Sequence, residues 1–432
     1  MQHIILGNGP AGVLAAETIR RHSPLDSIVL VGDEPEPPYS RMAIPYLLTG
    51  NIAESGTYLR HRADHFKDLN IKLVLGRATA VDTGSKAVRL ADGTSLTYDR
   101  LLLSTGSRPV RPPIAGIDLP RVLSCWTLED ARSIADALKP DARILQLGAG
   151  FIGCIIMEAL AAKGKLTVVE MGDRVVPRMM TPAASAMIER WCGRKGVEIL
   201  TSTRVTAIDA ARSRSSWWSV IRSKTSNGNG RLKVSFGGLE REFDTVICAT
   251  GVKPAIDYLQ GSGIETGPGG GIVVDLSMRT NAPDVFAAGD CTEAADFSTG
   301  AHFVNAIQPD AADQALTAAL NMVGQSTSWQ GGFRMNVLAT FGLVSTSFGQ
   351  WWGADDGEHV EVIDEAGFKY LRLEFKDGYL IGATCVGRTE HIGVLRGLIQ
   401  TRTRVSPQWK ANLLLDPHRF VDAYLACAQA AA

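Results

Sequence analysis

The chain has 432 residues, 45% of them hydrophobic and 21% charged, and its formal net charge at pH 7 is −1. This composition excludes a disordered chain, and the length is sufficient to bury two or three cores. The balance of charges excludes the broad basic field of a general nucleic-acid binder or a polybasic membrane anchor, and no apolar run reaches the ~18 residues that span a bilayer. Because the chain begins in a strand-like run without a signal-peptide pattern, we expect a soluble cytoplasmic protein.

The first predicted unit is a strand, a glycine-rich loop, a helix and a second strand. An apolar run at residues 4–6 leads into a GxGxxG motif and a helical pattern, and another apolar run follows at residues 28–31. In such a unit the first glycine permits a tight turn, the second lets the backbone approach a pyrophosphate, and the third lets the helix pack on the strand. A carboxylate after the second strand accepts hydrogen bonds from a ribose. The pattern predicts a dinucleotide site built from Gly7, Gly9, Gly12 and either Asp33 or Glu34.

The same pattern recurs about 140 residues later in the chain. An apolar run at residues 143–147 precedes a second GxGxxG motif, and another run at residues 166–169 ends at Glu170. A carboxylate there accepts hydrogen bonds from a ribose 2′-OH and repels a 2′-phosphate, so we expect NADH to be preferred over NADPH. The glycines of this second motif are Gly148, Gly150 and Gly153.

Other segments complete the pattern. Residues 101–106 and 246–251 each read as a buried strand that ends in a turn of small residues, and residues 284–290 place an acid after another such strand. Residues 211–230 are polar and rich in glycine and asparagine, which favours a solvated loop or hairpin tip over a partner-binding loop. From about residue 326 onwards, strand patterns and one helical pattern are typical of a separate α+β module.

Together these motifs resemble the FAD-dependent pyridine nucleotide-disulfide oxidoreductase superfamily over about residues 1–325. The resemblance implies that the backbone at Ala78 meets the adenine, that Asp290 binds the ribitol chain, and that a helix beginning near Ile307 points its N-terminus at the flavin. The residues implied for FAD are Gly7, Gly9, Pro10, Ala11, Gly12, Asp33, Glu34, Arg41, Ala78, Thr105, Gly106, Gly289, Asp290, Ile307 and Gln308. Those implied for NADH are Gly148, Gly150, Phe151, Ile152, Gly153, Glu170 and Gly251.

The expected fold class is α/β, with two Rossmann-like dinucleotide-binding domains and a C-terminal α+β module. The expected boundaries are 1–110 for the first part of the FAD domain, 111–244 for the NAD(P)H domain, 245–325 for the second part of the FAD domain, and 326–432 for the C-terminal domain.

The segment after the first acids decides the chemistry in this superfamily, because thiol-reducing members carry a redox cysteine there. Here Met42 stands at the position of a single redox cysteine, and a thioether forms neither a disulfide nor a thiolate. The preceding Tyr-Ser-Arg resembles the rubredoxin-, ferredoxin- and nitrite-reductase-type branch. The resemblance therefore implies electron transfer from NADH through FAD to a small redox protein or to an Fe–S or other metalloenzyme. It implies no catalytic acid–base residue and no metal ligand in this chain, no nucleic-acid or membrane partner, and it allows a homodimer.

Two alternatives stay open at the level of the sequence. The first is an NADH oxidase or a thiol/persulfide reductase that uses Cys154 or Cys291, the cysteines nearest the predicted cofactors, although simple packing is favoured for both. The second is a flavin-binding redox sensor or assembly protein without turnover. Ile155 bears on this second alternative, because the family often has glutamate at that position, near the nicotinamide.

Overall fold

The structure is a computed structural model that describes residues 1–211 and 231–431. The loop predicted at residues 211–230 therefore lies outside the described residues from residue 212 onwards. In the described part of the chain, no helix is long and apolar enough to cross a membrane.

The elements follow one another in chain order. The first part of the chain contains β1 (Gln2–Leu6), α1 (Pro10–His22), β2 (Ser27–Gly32), a 3₁₀ turn (Arg41–Ala43), α2 (Ile44–Leu48), a 3₁₀ turn (Glu54–Thr57), α3 (His65–Asp68), β3 (Ile71–Leu75), β4 (Ala78–Asp82), β5 (Ala87–Leu90), β6 (Ser95–Thr97), β7 (Arg100–Leu103) and β8 (Ser107–Pro109). The middle part contains β9 (Val122–Ser124), α4 (Leu128–Ala137), β10 (Ala142–Leu147), α5 (Phe151–Ala161), β11 (Gly164–Val169), α6 (Pro182–Arg194), β12 (Glu198–Leu200), β13 (Val205–Ala210), β14 (Leu232–Phe236), β15 (Leu239–Phe243) and β16 (Thr245–Cys248). The last part contains β17 (Val252–Pro254), a 3₁₀ turn (Asp257–Leu259), β18 (Ile272–Val273), β19 (Val285–Ala287), β20 (Thr292–Ala295), β21 (His302–Phe303), α7 (Gln308–Met322), β22 (Met335–Thr340), β23 (Leu343–Gly349), β24 (Glu358–Asp364), β25 (Lys369–Lys376), β26 (Tyr379–Val386), α8 (Ile392–Gln400), α9 (Pro407–Leu415), a 3₁₀ turn (Pro417–Arg419) and α10 (Phe420–Ala431).

The chain divides into two compact units. The first consists of Met1–Ala43, Ile52–Arg108 and Val252–Arg334, and the second of Ile44–Asn51, Pro109–Gly251 and Met335–Ala432. The predicted boundaries of the four segments remain predictions. At one of them, the strand Thr245–Cys248 pairs with β10 and β9, so it lies in the second unit although the boundary predicted at 244/245 assigns it to the FAD domain.

The first unit is built on a parallel sheet in the order β3-β2-β1-β7-β19. Its central strands are buried on both faces, which explains why the sequence reads there as continuous apolar runs. Helix α1 packs against α7 and β2. The chain order reverses between β1 and β7, and ligands of open α/β sheets bind at the carboxyl ends of the strands beside such a reversal.

The second unit repeats this architecture with the order β12-β11-β10-β16-β9, and the reversal falls between β10 and β16. A three-stranded antiparallel sheet follows an edge strand of each parallel sheet: β4-β5-β6 follows β3 in the first unit, and β13-β14-β15 follows β12 in the second. These two parallel sheets confirm the predicted α/β class.

The C-terminal part of the second unit is an antiparallel sheet in the order β22-β23-β26-β25-β24, with α8 packed on β26 and β23. Two side-chain hydrogen bonds join this sheet to α6 and to its N-cap residue Thr181. The Thr181 hydroxyl lies 2.8 Å from the Tyr370 hydroxyl, and the Trp191 indole N–H donates to the carbonyl of Phe341. The sheet therefore shares a buried face with the second dinucleotide-binding fold.

Candidate dinucleotide sites

The loop after β1 is shaped by backbone contacts that only glycine permits. Gly7 has a φ of +104°, and a Cβ on it would overlap the carbonyl oxygen of Ser104 at the end of β7. A Cβ on Gly12 would overlap the carbonyl oxygen of Gly7. These two glycines thus let the loop turn tightly and let α1 begin directly beside the reversal in strand order.

Gly9 differs from both of these glycines, because a Cβ on it would meet no atom within 4 Å. Gly9 is the N-cap of α1, it provides no side-chain cap, and Pro10 begins the helix. No acidic residue occupies the first turn of α1. The open space at Gly9 therefore faces uncapped backbone N–H groups at the positive end of the helix dipole, which is where an anion binds best.

The two acids after β2 have different surroundings. Glu34 accepts hydrogen bonds from the hydroxyl of Tyr39 (2.6 Å) and from the guanidinium of Arg41, whereas Asp33 is exposed. The Arg41 guanidinium also donates to the Tyr39 hydroxyl at 2.8 Å. Asp33 is thus the more accessible of the two candidate ribose acceptors, while Glu34 holds Arg41.

The loop after β19 lies beside the starts of both α1 and α7. The Cβ of Ala11 and that of Ala311 are 3.4 and 3.6 Å from the place of a Cβ on Gly289. The peptide N–H of Gly289 donates to the buried side-chain oxygen of Gln314 at 2.7 Å. These contacts bring the loop Gly289–Asp290 to the N-termini of two helices.

The carboxylate of Asp290 accepts a hydrogen bond from the Ser107 hydroxyl at 2.8 Å. Burial raises the pKa of Asp290, and the Ser107 bond and the nearby Arg41 charge oppose that rise. Across the same region, the Ser40 hydroxyl donates to the side-chain oxygen of Gln308 at 3.0 Å. Helix α7 begins at Gln308, and its N-cap residue Ile307 provides no side-chain cap.

The remaining predicted FAD residues lie at the carboxyl edge of the first sheet. Ala78 is the first residue of β4, shortly after β3, and is half-buried. The Thr105 hydroxyl donates to the carbonyl of Ala255 at 2.9 Å and lies 3.1 Å from the hydroxyl of Tyr258. Gly106 has a φ of +65°, and a Cβ on it would meet no atom within 4 Å, so the space above the end of β7 is open.

The three glycines of the loop after β10 have the same kinds of backbone surroundings as those of the loop after β1. Gly148 has a φ of +95°, and a Cβ on it would lie 2.5 Å from the carbonyl oxygen of Ala249 at the end of β16. A Cβ on Gly153 would lie 2.5 Å from the carbonyl oxygen of Gly148, whereas one on Gly150 would meet nothing within 4 Å. Gly251, with φ of +101°, is also open.

Glu170 is fixed against this second loop. One of its carboxylate oxygens accepts the peptide N–H of Ala149 and the other that of Gly172, both at 2.7 Å. Each oxygen keeps a lone pair for a further donor. Nearby Arg174 is bonded to Asp173. Phe151 and Ile152, the first residues of α5, are half-buried.

The cysteines near the two sites are buried thiols. The thiol of Cys154 donates to the carbonyl of Ala149, and burial raises its pKa well above the ordinary value. The thiol of Cys291 lies 3.3 Å from the carbonyl of Leu103, and burial raises its pKa to about 11. Since the thiolate is the reactive form, burial and the raised pKa both disfavour reaction of these two thiols near neutral pH. Met42, by contrast, is 48% exposed.

Three positioning residues were not predicted from the sequence: Ser40, Ser107 and Gln314. Each makes a hydrogen bond to a predicted site residue that is distant in the chain. No sequence motif marks Gln314, although a glutamine on a helix position that is otherwise apolar signals a buried polar partner.

Both loops fit a dinucleotide pyrophosphate. In each loop, a side chain on the first or third glycine would collide with backbone atoms, whereas a side chain on the second would enter open space. This second glycine lies at the uncapped N-terminus of a helix. An acid follows the second strand of each unit. This is the donor set and shape that FAD and NAD(H) require.

Comparison with known proteins agrees with this geometry. The family model described as pyridine nucleotide-disulphide oxidoreductase matches residues 1–317. The chain is 33% identical over 412 residues to the NADH-dependent phenylglyoxylate dehydrogenase subunit epsilon of Aromatoleum evansii, covering 94% of this chain and 93% of that protein. It is 29% identical over 330 residues to a rubredoxin-NAD(+) reductase of Pseudomonas putida, covering 76% of this chain and 81% of the relative. The solved structure of an NAD-dependent persulfide reductase from A. fulgidus matches with a TM-score of 0.81 and 29% identity, covering 93% of this chain and 77% of the other.

These likenesses confirm the predicted superfamily, its reductase branch and the predicted class of enzyme, an FAD-dependent NAD(P)H oxidoreductase. They also confirm that FAD and NAD(H) are the cofactors of the family, without deciding between NADH and NADPH. Because the family model spans residues 1–317 of the 432, the chain belongs to the pyridine nucleotide-disulphide oxidoreductase family.

Proposed function

We propose that this protein oxidises NADH at the second loop, collects the electron pair on FAD at the first loop, and passes the electrons singly to a small redox protein or an Fe–S or other metal-containing enzyme. A bound flavin would supply the chemistry of the reaction, since it can accept a hydride and release electrons one at a time. The chain itself binds and orients both cofactors, without an acid–base pair for the hydride transfer.

The observation that carries the proposal is the burial of both thiols that lie near the candidate sites. Of the seven cysteines, all of them in the described part of the chain, six are buried and Cys427 is half-buried. Burial raises the pKa of the thiols of Cys154 and Cys291, and Met42 occupies the position of a redox cysteine. The likeness to a persulfide reductase therefore supports the fold and the cofactors, but neither cysteine near the candidate sites has the accessible, low-pKa thiol that a thiol-type reductase needs.

NADH is proposed as the preferred donor because of Glu170. A carboxylate at this position accepts hydrogen bonds from ribose hydroxyls and repels a 2′-phosphate. Arg174, the cation nearest in sequence, is bonded to Asp173.

An anaerobic titration with NADH tests the proposal. The FAD-loaded protein is expected to take up two electrons per FAD, with no long-wavelength thiolate-to-flavin band, and Cys154→Ser and Cys291→Ser are expected to titrate identically. Uptake of four electrons by the wild type and two by either variant would show a thiol-type reductase. No flavin reduction at all would instead favour a redox sensor or assembly protein, the alternative on which Ile155 bears.

A second candidate function is supported by the relative from Aromatoleum evansii, which is a subunit of an NADH-dependent dehydrogenase and aligns over 94% of this chain. In that case the chain works inside an assembly and electrons flow from an Fe–S partner through FAD to NAD⁺. Gel filtration of the protein purified from its native host, followed by assay of NAD⁺ reduction, separates the two: a free chain favours the first candidate and a stable assembly that forms NADH favours the second.

Two finer features belong to the same proposal. We place the protein in the cytoplasm, where its free thiols stay reduced. The predicted homodimer stays a prediction, which sedimentation would decide.

A further inference from the structure

The first turn of α7 has two sides with different chemistry. One side forms the candidate FAD site: Gln308 accepts from Ser40, and Ala311 lies against the loop of Gly289. The other side carries Asp310, whose side chain is 5% exposed and takes no part in the functions described above. Asp310 is therefore a buried carboxyl two residues from the start of a helix whose N-terminus adjoins the flavin cradle.

The contacts of Asp310 stabilise its charge poorly. The amide of Asn305 donates one hydrogen bond to a carboxyl oxygen, and the peptide N–H of Phe333 supplies another. In the described part of the chain, no cation is paired with Asp310. An ionised carboxyl that is buried without a cation is costly, so this position favours the neutral acid.

The charged groups that face Asp310 increase this effect. Asp313 lies on the same helix, and Asp296 lies on the loop after β20. The negative charges of both residues repel an ionised Asp310 and so raise its pKa. The guanidinium of Arg334 is 3.0 Å from Asp296, itself 1% exposed, and so this cation already neutralises another acid. Burial is the largest cause that raises the pKa of Asp310, and the repulsion by Asp313 and Asp296 adds to it. The two hydrogen bonds oppose the rise, and the resulting pKa is about 7.

We propose that Asp310 binds a proton from solvent when the FAD in the adjoining cradle is reduced, and releases it when the electrons leave. This inference rests on the proposed use of FAD. It assigns to this chain a proton-binding residue linked to the redox reaction, separate from the residues that bind the cofactors.

The chemical balance is simple. Hydride transfer from NADH would leave NAD⁺ and add one negative charge at the FAD site, and it would take no proton from solvent. The added charge near α7 would strengthen proton binding by the Asp310 carboxylate, and water would supply that proton. When the acceptor has removed the two electrons one at a time, the proton carried by the hydride would return to solvent, and Asp310 would release its own.

Proton uptake by the holoenzyme tests the inference directly. Anaerobic protein in weak buffer with a pH-indicator dye is reduced with one equivalent of NADH, and protons taken up are counted per FAD reduced. The wild type is expected to take up a fraction of a proton that is largest just above about pH 7 and vanishes below about pH 5, where Asp310 is protonated in both states. Asp310→Asn is expected to lose this uptake, while Glu265→Gln, which removes an exposed acid of the same unit that does not act on Asp310, is expected to keep it.

Equal uptake in the wild type and Asp310→Asn, with complete flavin reduction in both, would overturn the inference and leave the proposed function intact. Failure of NADH to reduce the flavin would overturn the proposed function instead. A second measurement needs no variant: the reduced-minus-oxidised infrared spectrum of wild-type protein labelled with ¹³C at aspartate carboxyls is expected to gain the shifted carbonyl band of a protonated carboxylic acid. The absence of that band near pH 7.5 would also overturn the inference.

Discussion

At the scale of single residues, Glu170 is a carboxylate that the backbone of its own loop holds in place. Its two oxygens accept the peptide N–H groups of Ala149 and Gly172, which hold the charge at the mouth of the second loop. Charge-assisted hydrogen bonds of this kind are about twice as strong as neutral ones. The position of Glu170 is thus determined by the protein before any nucleotide binds.

Replacement of Glu170 by alanine is expected to lower the preference for NADH over NADPH by about tenfold, because one charged hydrogen bond to the ribose and the repulsion of a 2′-phosphate are both lost. Stopped-flow rates of flavin reduction by each nucleotide give the ratio. Glu240→Ala, which removes an exposed carboxylate of the same unit, is the control. Equal rates for both nucleotides in the wild type would mean that Glu170 does not face the ribose.

Asp310 also has a consequence for stability. Since its pKa in the folded protein is about 7 and the ordinary value is 3.8, the folded chain holds a proton that the unfolded chain releases between about pH 4 and pH 7. Stability therefore falls as pH rises through that window and changes no further above it. Asp310→Asn cannot ionise, so its melting temperature relative to the wild type is expected to be higher near pH 8 than near pH 5.

Thermal unfolding of the holoenzyme at about pH 5 and pH 8 measures this difference. Glu265→Gln, which removes an exposed acid of the same unit, serves as the control, with an offset from the wild type that is expected to be the same at both pH values. An Asp310→Asn offset that does not change with pH would show that Asp310 is ionised in the folded protein throughout.

At the scale of elements, the two strand–loop–helix units are built alike. In each, the first and third glycines are required by backbone packing, whereas the second lies over open space with ordinary extended backbone: Gly9 has φ of −74° and Gly150 has φ of −75°. A methyl group is thus compatible with the protein at these two positions. It would occupy only the space of a bound pyrophosphate.

This predicts a pair of separable variants. Gly9→Ala is expected to weaken FAD binding by at least about tenfold while the affinity for NADH is kept, and Gly150→Ala is expected to do the reverse, because a methyl group prevents the close approach of the pyrophosphate to the helix N-terminus. Flavin retention on dialysis and the dependence of flavin reduction on NADH concentration measure the two effects. Gly12→Val is the contrasting variant, expected to lose FAD through collision with the loop backbone.

Stability of the two alanine variants without cofactor is expected to stay within about 0.5 kcal/mol of the wild type. If Gly9→Ala retained FAD with unchanged affinity, the pyrophosphate would not lie at the first loop.

At the scale of the whole molecule, burial of the thiols separates this chain from a thiol reductase. Only Cys427 is half-buried, so a thiol reagent is expected to modify about one of the seven cysteines in the native holoenzyme and all seven after denaturation. Turnover with ferricyanide is expected to survive the native modification, because no thiol takes part in it. Cys427→Ser, which removes the accessible thiol, is the control, and loss of turnover on native alkylation would contradict the electron-transfer function.

The sequence by itself determined the two loops, their strands and helices, and the class of cofactor, because these depend on local backbone chemistry: glycines for tight turns, apolar runs for buried strands, and an acid after the second strand. It did not determine the surroundings of Asp33 and Glu34, nor the partners of Asp290. Tertiary structure decided both. Arg41 and Tyr39 engage Glu34, and Ser107 reaches Asp290 across 183 residues of chain. Hydrogen bonds between residues so far apart leave no periodic pattern in the sequence, and the burial that changes a carboxyl or thiol arises only when separate elements pack together.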